Sequence, residues 1–419
     1  MTTRTIPTYV VNLKKRTERK GNILKEFAGR DEFNVHIVEA IEHATGATGL
    51  WLTILDILQH RVDPDEEFIL LCEDDHQFTE HYTKETLWDC IGEAGERNAD
   101  VLSGGVSWFD DCFQATGRLF WIRKFSGLQF TILFRRCFDI LLQADFGPKD
   151  VADYKIADIT QNKFVVFPFF STQKDYGYSD ATPHNNIEGK VEQYFLKSDE
   201  HFQRLREVSA FYKGSPEDGL PAYDYERITL PVYVINPLRP DLIRQQFAGK
   251  GEFEVFIEEA PAHDVEDVRR WMGIRQAVQK AIAADDDVIL LCDDTHVFSP
   301  DYSRDFLLKN IIQAHEQGAG ILLGSVATFG HAIPVTKNRF WINSFWRAPL
   351  IVLYKKVFSL LVEEPFDEKI LPYEALSGLT SNKMALFPFV SIDNDFLRAI
   401  SRLDALQHTF LLHFPSAQG

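Results

Sequence analysis

The stretch Phe68-Ile69-Leu70-Leu71-Cys72-Glu73-Asp74-Asp75 decides the fold. Five apolar residues, too few for a helix and bounded by acids, predict a short buried strand. Three carboxylates follow where that strand leaves the core. Ligands of open α/β sheets bind outside the carboxyl ends of strands, so the acids face a crevice. Adjacent carboxylates repel one another unless a cation neutralises them. Hard oxygen ligands suit Mg²⁺ or Mn²⁺, ions that keep waters and grip substrate phosphates. The alternative is a plain strand followed by a solvated acidic turn.

The chain repeats this stretch. Leu71-Cys72 before the acids returns as Leu291-Cys292, and the same offset of 220 relates Gly104 to Gly324, Trp121 to Trp341 and Pro168 to Pro388. Phe-Trp-Ile recurs at 120–122 and 340–342, and Phe-Pro-Phe at 167–169 and 387–389. Tyr9-Val10-Val11-Asn12 returns as Tyr233-Val234-Ile235-Asn236. One register held over so many aromatic landmarks is a tandem duplication, with a period too long for a solenoid. We expect an N-terminal domain over 1–213, a linker over 214–230 rich in Gly, Pro and Ser, and a C-terminal repeat over 231–419.

Within the first copy, the pattern predicts strand Thr8–Asn12, a helix over about Arg16–Phe27, strand Val35–Val38, helix Leu50–Gln59 and strand Phe68–Cys72. A helix near Tyr82–Arg97, strand Val101–Phe109, an aromatic strand pair between Leu119 and Phe134, helix Cys137–Ala144 and strand Phe164–Phe167 complete it. Strands alternating with helices predict an α/β fold: two tandem domains, each a mostly parallel sheet flanked by helices.

Composition narrows the function. The 419 residues are 45% hydrophobic and 25% charged, with 62 acidic against 44 basic side chains and a net charge of −18. Such an acidic chain without a long basic run is a poor partner for nucleic acid or an anionic membrane. The N-terminus lacks the apolar core of a signal peptide, and no stretch has the length of a membrane span. Five cysteines, with Cys72 and Cys292 inside apolar runs, suggest core residues in a reducing cytoplasm rather than a disulfide framework.

Lys14, Lys15, Arg16 and Arg19 put four cations at the start of the first helix, where they oppose the macrodipole. A bound phosphate would compensate them, with Arg forks gripping its oxygens. A solvated helix face is the alternative. Tyr9-Val10-Val11-Asn12-Leu13 with Arg16 and Arg19, followed some sixty residues on by Leu71–Asp75, resembles glycosyltransferase family 25. That family holds lipo-oligosaccharide and collagen sugar transferases, and the resemblance covers most of the first copy. It implies a GT-A fold, a nucleotide-sugar donor, a divalent metal on the acidic motif and inversion at the anomeric carbon. Two segments depart from the family pattern. Gly46-Ala47-Thr48-Gly49-Leu50-Trp51-Leu52-Thr53 keeps a glycine pair without the following Ser-His. Ser126-Gly127-Leu128-Gln129 stands where the family shows a Gly-Thr-His-like segment.

The resulting assignment has Glu73 and Asp75 as metal ligands for Mn²⁺ or Mg²⁺, with Asp74 a third ligand or a ribose contact. Asn12, Leu13, Arg16, Arg19, Gly46, Gly49, Gly104, Gly105, Trp108 and Gln129 are the further donor contacts, a UDP-sugar being favoured. Gly104-Gly105 permits close backbone approach of a ligand, and Trp108 is a sugar platform or a core residue. The base that deprotonates a glycan, peptide or lipid-linked acceptor is Asp153 first, then Asp158, Asp110 or Asp111. The polar segment Tyr176–Asn186 is a lid bringing Asp180 or His184 near the metal, or else a surface loop. The second copy replaces Asp75 by Thr295, Asp153 by Tyr373, Gly46 by Glu266 and Gly49 by Arg269, and is expected to be catalytically silent. Competing readings are a bifunctional transferase, a nucleotidyltransferase, or a carbohydrate-binding scaffold derived from a transferase.

Overall fold

A computed structural model describes residues 5–177, 187, 189–212, 225–259, 262–365, 369–392 and 396–414. The chain forms two units, Met1–Ala210 and Phe211–Gly419. Unit 1 runs β1 (Ile6–Asn12), α1 (Thr17–Glu26), β2 (Phe33–Glu39), α2 (Gly46–His60), β3 (Phe68–Glu73), β4 (His76–Phe78), α3 (Lys84–Glu96) and β5 (Val101–Ser103). It continues through β6 (Trp108–Phe109), β7 (Cys112–Gln114), β8 (Leu119–Ile122), β9 (Phe125–Ser126), β10 (Phe130–Phe134), α4 (Phe138–Gln143) and α5 (Ala152–Ile159). It ends with β11 (Lys163–Val166), β12 (Ser171–Gln173) and α6 (Lys190–Tyr212).

The main sheet of unit 1 has eight strands in the order β2-β1-β3-β10-β5-β11-β8-β7. β1 is buried along its whole length, as a strand covered on both faces must be. It pairs in parallel with β2 and β3, and β5 pairs in parallel with β11. β10 runs antiparallel to both β3 and β5, and β8 antiparallel to β11 and β7. The α/β architecture is therefore as expected, but the sheet is mixed rather than mostly parallel. The predicted aromatic strand pair is β8 and β10, which share the sheet without touching; β5 and β11 lie between them. The predicted strand Val101–Phe109 is two strands, broken at Gly104-Gly105 so that β6 leaves the sheet to pair with β9 as a two-residue ribbon.

Unit 2 carries β13 (Leu230–Ile235), α7 (Pro240–Phe247), β14 (Phe253–Glu258), α8 (Glu266–Ala284), β15 (Val288–Cys292), β16 (Val297–Phe298) and α9 (Arg304–Glu316). β17 (Ile321–Leu323), β18 (Thr328–Phe329), β19 (Ala332–Thr336), β20 (Arg339–Ile342), β21 (Phe345–Trp346), β22 (Leu350–Tyr354) and α10 (Phe358–Glu363) follow. α11 (Pro372–Gly378), β23 (Lys383–Leu386), β24 (Ser391–Ile392) and α12 (Leu397–His413) close it. Its sheet order, β14-β13-β15-β22-β17-β23-β20-β19, places each strand where its unit 1 counterpart stands.

Polar core details recur as well. His76 Nδ1 lies 2.7 Å from Ser171 Oγ, and His296 Nδ1 lies 2.8 Å from Ser391 Oγ. Each imidazole is caged by phenylalanines, Phe27, Phe78 and Phe130 around one, Phe247 and Phe298 around the other. Tyr82 donates to the buried carboxylate of Glu32, and Tyr302 to that of Glu252. Trp121 Nε1 donates to the Gln161 carbonyl, and Trp341 Nε1 to that of Ser381. Among the described residues, no helix is long and apolar enough to cross a membrane.

Candidate functional site

The carboxyl ends of β1, β2 and β3 open onto a pocket of ≈ 280 Å³ in unit 1. Leu13, Lys15 and Arg16 line it from the turn after β1, Glu42 and His43 from the loop after β2, Gly46 and Leu50 from the start of α2, and Glu73 and Asp74 from the end of β3. Three neighbouring strands that point the same way place their following turns side by side, which is why residues sixty positions apart meet here.

Asp74 is the hub of the floor. It is buried, and its Oδ2 accepts from Asn12 Nδ2 at 2.8 Å. Its Oδ1 lies 3.4 Å from Arg16 Nη1 and 3.3 Å from Arg19 Nη1, while Arg19 also reaches Asp75 Oδ2 at 3.6 Å. Two of the four cations badly placed for a helix start, Arg16 and Arg19, are thus held by the acid motif itself. Two guanidiniums against three carboxylates leave an excess of negative charge. Burial, then the charges of Asp75 and Asp74, raise the Glu73 carboxyl well above its ordinary range, and Asp153 and Arg16 act on it more weakly, Asp153 upward and Arg16 downward. Burial and the neighbouring Asp74 lift Asp75 to about 6 against the pull of Arg19 and Arg16. Its Oδ1 is buried without a hydrogen-bond partner.

Asp153, near the start of α5, belongs to the same field, since its charge acts on Glu73. Its Oδ2 accepts from Ser126 Oγ at 2.7 Å and from the Gly127 amide at 3.0 Å, and its Oδ1 from the Tyr154 amide at 2.8 Å. Burial raises its pKa, and those donors partly offset the rise. Trp108 is 46% exposed on the ribbon opposite Ser126, its ring 5.8 Å from that of Tyr154. It is a surface platform, not a core residue.

Other predicted residues have different employment. A Cβ on Gly104 would lie 2.6 Å from the Phe130 ring, and one on Gly105 would lie 2.1 Å from the Ser171 carbonyl. The pair is needed where the chain folds over its own core. Gly49 likewise faces the Ile41 carbonyl, 2.4 Å from where its Cβ would be, and lets α2 dock on the loop after β2. Gln129 is fully buried, with Nε2 donating to the Gly105 carbonyl at 2.7 Å. Asp110 and Asp111 pair with Arg123, at 2.6 Å and 3.0 Å. Asp158 forms a half-exposed ion pair with Lys124. Asp110, like Asp153, is raised by burial and takes two backbone amides, but it differs in its ion pair with Arg123. His184 and Asp180 lie outside the described residues. Tyr176, from the same segment, accepts from Asn22 Nδ2 at 2.9 Å, and the Arg19 guanidinium stacks on its ring at 4.3 Å.

Glu42 and His43 join the pocket without any sequence signal. Glu42 and His43 follow an edge strand with no motif to mark them; only the parallel pairing of β2 with β1 brings them to the crevice.

In unit 2 the corresponding carboxylates are bonded to the protein's own groups. Asp293, in place of Glu73, accepts from Thr295 through its amide at 2.9 Å and its hydroxyl at 2.6 Å. Its other oxygen receives the Tyr373 hydroxyl at 3.3 Å and lies 3.7 Å from Arg270 Nη1. Asp294 accepts from the Leu238 amide at 3.3 Å.

No family model and no curated protein matches the chain. Solved structures that resemble part of it include a crystal structure of a protein from STIV, at 10% identity over 42% of this chain and 87% of that one, with a TM-score of 0.29. Two structures of UDP-glucose pyrophosphorylase, one apo and one complexed with UDP-glucose, match at 13% and 15% identity. Each covers 48% of this chain, and 82% and 81% of its own, with a TM-score of 0.27. Similarities this slight carry no information on chemistry.

Proposed function

We propose that unit 1 is a family-25-type glycosyltransferase, moving a sugar from a nucleotide-diphosphate donor to an acceptor hydroxyl with inversion, and that unit 2 has no transferase activity. The observation that carries this reading is the meeting of Lys15, Arg16, Glu73 and Asp74 around one pocket at the strand ends, with Asp153 within the electrostatic reach of Glu73.

The donor set decides which carboxylates could hold the implied metal. Asp74 does not fit, because Asn12, Arg16 and Arg19 already occupy its oxygens. Among the described residues, no group of three or more His, Cys, Asp or Glu side chains is arranged to hold an ion. Glu73 and Asp75 fit a cation that takes two carboxylates and completes its shell with water and phosphate oxygens. The orphaned Asp75 Oδ1 and the excess negative charge both favour one. Bound there, a divalent ion supplies neutralisation of the leaving diphosphate.

The remaining roles belong to this chain's side chains. Lys15 and Arg16 line the pocket and would contact the phosphates, Arg16 as a fork and Lys15 as a point charge. Arg19, stacked on Tyr176, holds Asp74 and Asp75 in place rather than meeting the donor. As the anomeric C–O bond to the diphosphate breaks, the acceptor oxygen bonds to the opposite face of that carbon. Its proton passes to Asp153, whose raised pKa suits a base. Ser126 and Gly127 fix the carboxylate's orientation. Titration calorimetry of the full chain with UDP-sugars and GDP-sugars is the test. Binding that requires Mn²⁺ or Mg²⁺ and disappears with EDTA is expected; equal affinity with and without EDTA would sink the metal assignment.

A further inference from the structure

The ribbon beside Asp153 carries an exposed aromatic pair, Trp108 on β6 and Tyr154 on α5, with ring centroids 5.8 Å apart. Read across the 220 offset, both residues are lost in unit 2, where Trp108 becomes Thr328 and Tyr154 becomes Glu374. Yet unit 2 also has an exposed indole on this ribbon against a tyrosine of the following helix. Trp346 on β21, 43% exposed, lies 6.1 Å from Tyr373 on α11. Trp346 occupies the position of Ser126, and Tyr373 that of Asp153. The indole has crossed to the other strand of the ribbon, where it pairs with Thr328 as Ser126 pairs with Trp108. The phenol has moved one residue along its helix.

Single exposed hydrophobic residues need no explanation. An aromatic pair rebuilt from two other positions, in a unit that has lost the acids around it, needs one. Core packing alone does not supply it, because both indoles are nearly half exposed. A flat aromatic face with hydrogen-bonding groups at its edge matches a pyranose ring, which has an apolar C–H face and a polar rim. In unit 1 the edge groups are Ser126 and Asp153. In unit 2 they are the Tyr373 hydroxyl and Arg347, whose charge acts on that hydroxyl.

We infer that each ribbon is a carbohydrate-binding platform: the acceptor subsite of the transferase in unit 1, and a sugar-binding site without transfer chemistry in unit 2. The first half rests on the proposed transferase function; the second stands without it. Unit 2 thereby holds a glycan through stacking while Tyr373 and Arg270 engage Asp293.

Saturation-transfer NMR on the full chain, with the methyl glycosides of galactose, glucose, mannose and N-acetylglucosamine and no nucleotide present, tests this. We expect at least one glycoside to receive saturation through the ring face, with Trp108→Ala and Trp346→Ala each removing part of the signal and the double variant all of it. In a Trp108→Ala background, Trp346→Ser should abolish the signal, and adding Thr328→Trp should restore it by rebuilding the unit 1 arrangement in unit 2. Absence of transfer to all four glycosides, or a signal unchanged in the double variant, overturns the inference. A signal that depends on Trp108 alone overturns its unit 2 half. Failure of the transferase reading shows separately as absence of donor turnover, and sugar binding at Trp346 in such a protein leaves the unit 2 site standing.

Discussion

The two units share a core and differ in a crevice. His76 and His296 sit in matching phenylalanine cages bonded to Ser171 and Ser391, and both sheets run in the same strand order. At the strand ends the likeness stops. Unit 1 holds three carboxylates against Arg16 and the buried Arg19 and leaves Asp75 Oδ1 without a partner, a charge-frustrated arrangement. Unit 2 has relaxed it: Asp293 is satisfied by Thr295, Tyr373 and Arg270. Stored electrostatic conflict is a cost that a ligand can repay, so under the proposed function the difference singles out unit 1 as the one that meets the charged donor.

The largest effect expected from this comparison is on turnover. Glu73→Gln with Asp75→Asn should abolish transfer, while Asp293→Asn with Asp294→Asn should leave it at the wild-type rate. Both pairs are isosteric and lie at a strand end rather than in the apolar core, so thermal unfolding should confirm that each protein folds. A distinct transfer product lost only in the second variant would make unit 2 an enzyme and break the comparison.

Next comes the base. Asp153→Asn keeps the bonds from Gly127 and Ser126 within reach but removes the proton acceptor, so turnover should fall roughly 10²–10⁴-fold. Donor affinity measured by calorimetry should stay unchanged. The reverse substitution, Tyr373→Asp, should not confer activity on unit 2, because Thr295 still stands in place of Asp75. Wild-type turnover in Asp153→Asn would return the role to another acid, with Asp110, Asp111 and Asp158 each already bound to a cation.

What the sequence made legible follows from period and repetition. β1 and β3 are apolar runs ending in polar motifs, and their repeats in the second copy, Tyr9 with Tyr233 and Cys72 with Cys292, fix their register. Arg16, Glu73 and Asp74 meet at one crevice because parallel neighbours align their carboxyl ends. The ribbons β6–β9 and β4–β12 were not legible, since strands of two or three residues carry no periodicity. Gly104-Gly105 read as ligand approach because a sequence gives the absence of a side chain but not the Phe130 ring that requires it. Asp110 and Asp111 stayed open for the same kind of reason: Arg123 reaches them across a hairpin, a pairing that only the register of β7 and β8 reveals.

The smallest difference between the units should appear at the two buried histidines, where none is expected. Burial lowers the pKa of His76 and of His296 from 6.5 to about 3. Each imidazole is therefore neutral in the folded chain across ordinary pH, while in the unfolded chain it takes a proton below 6.5. Stability that is fully present above that value is lost as pH falls toward 3, because the unfolded state then binds the extra proton. One proton corresponds to a slope of about 1.4 kcal/mol per pH unit. Many carboxylates titrate in the same window, so the contribution is isolated by substitution. His76→Asn keeps a donor for Ser171 and removes the titration. The stability of unit 1 relative to this variant should then decline as pH drops from 6.5, read from hydrogen exchange of the β3 amides, with the β15 amides of unit 2 unaffected. His296→Asn should give the mirror result. A slope change in one unit only would mean that the two cages differ after all, and that relaxation of the crevice in unit 2 has reached its core.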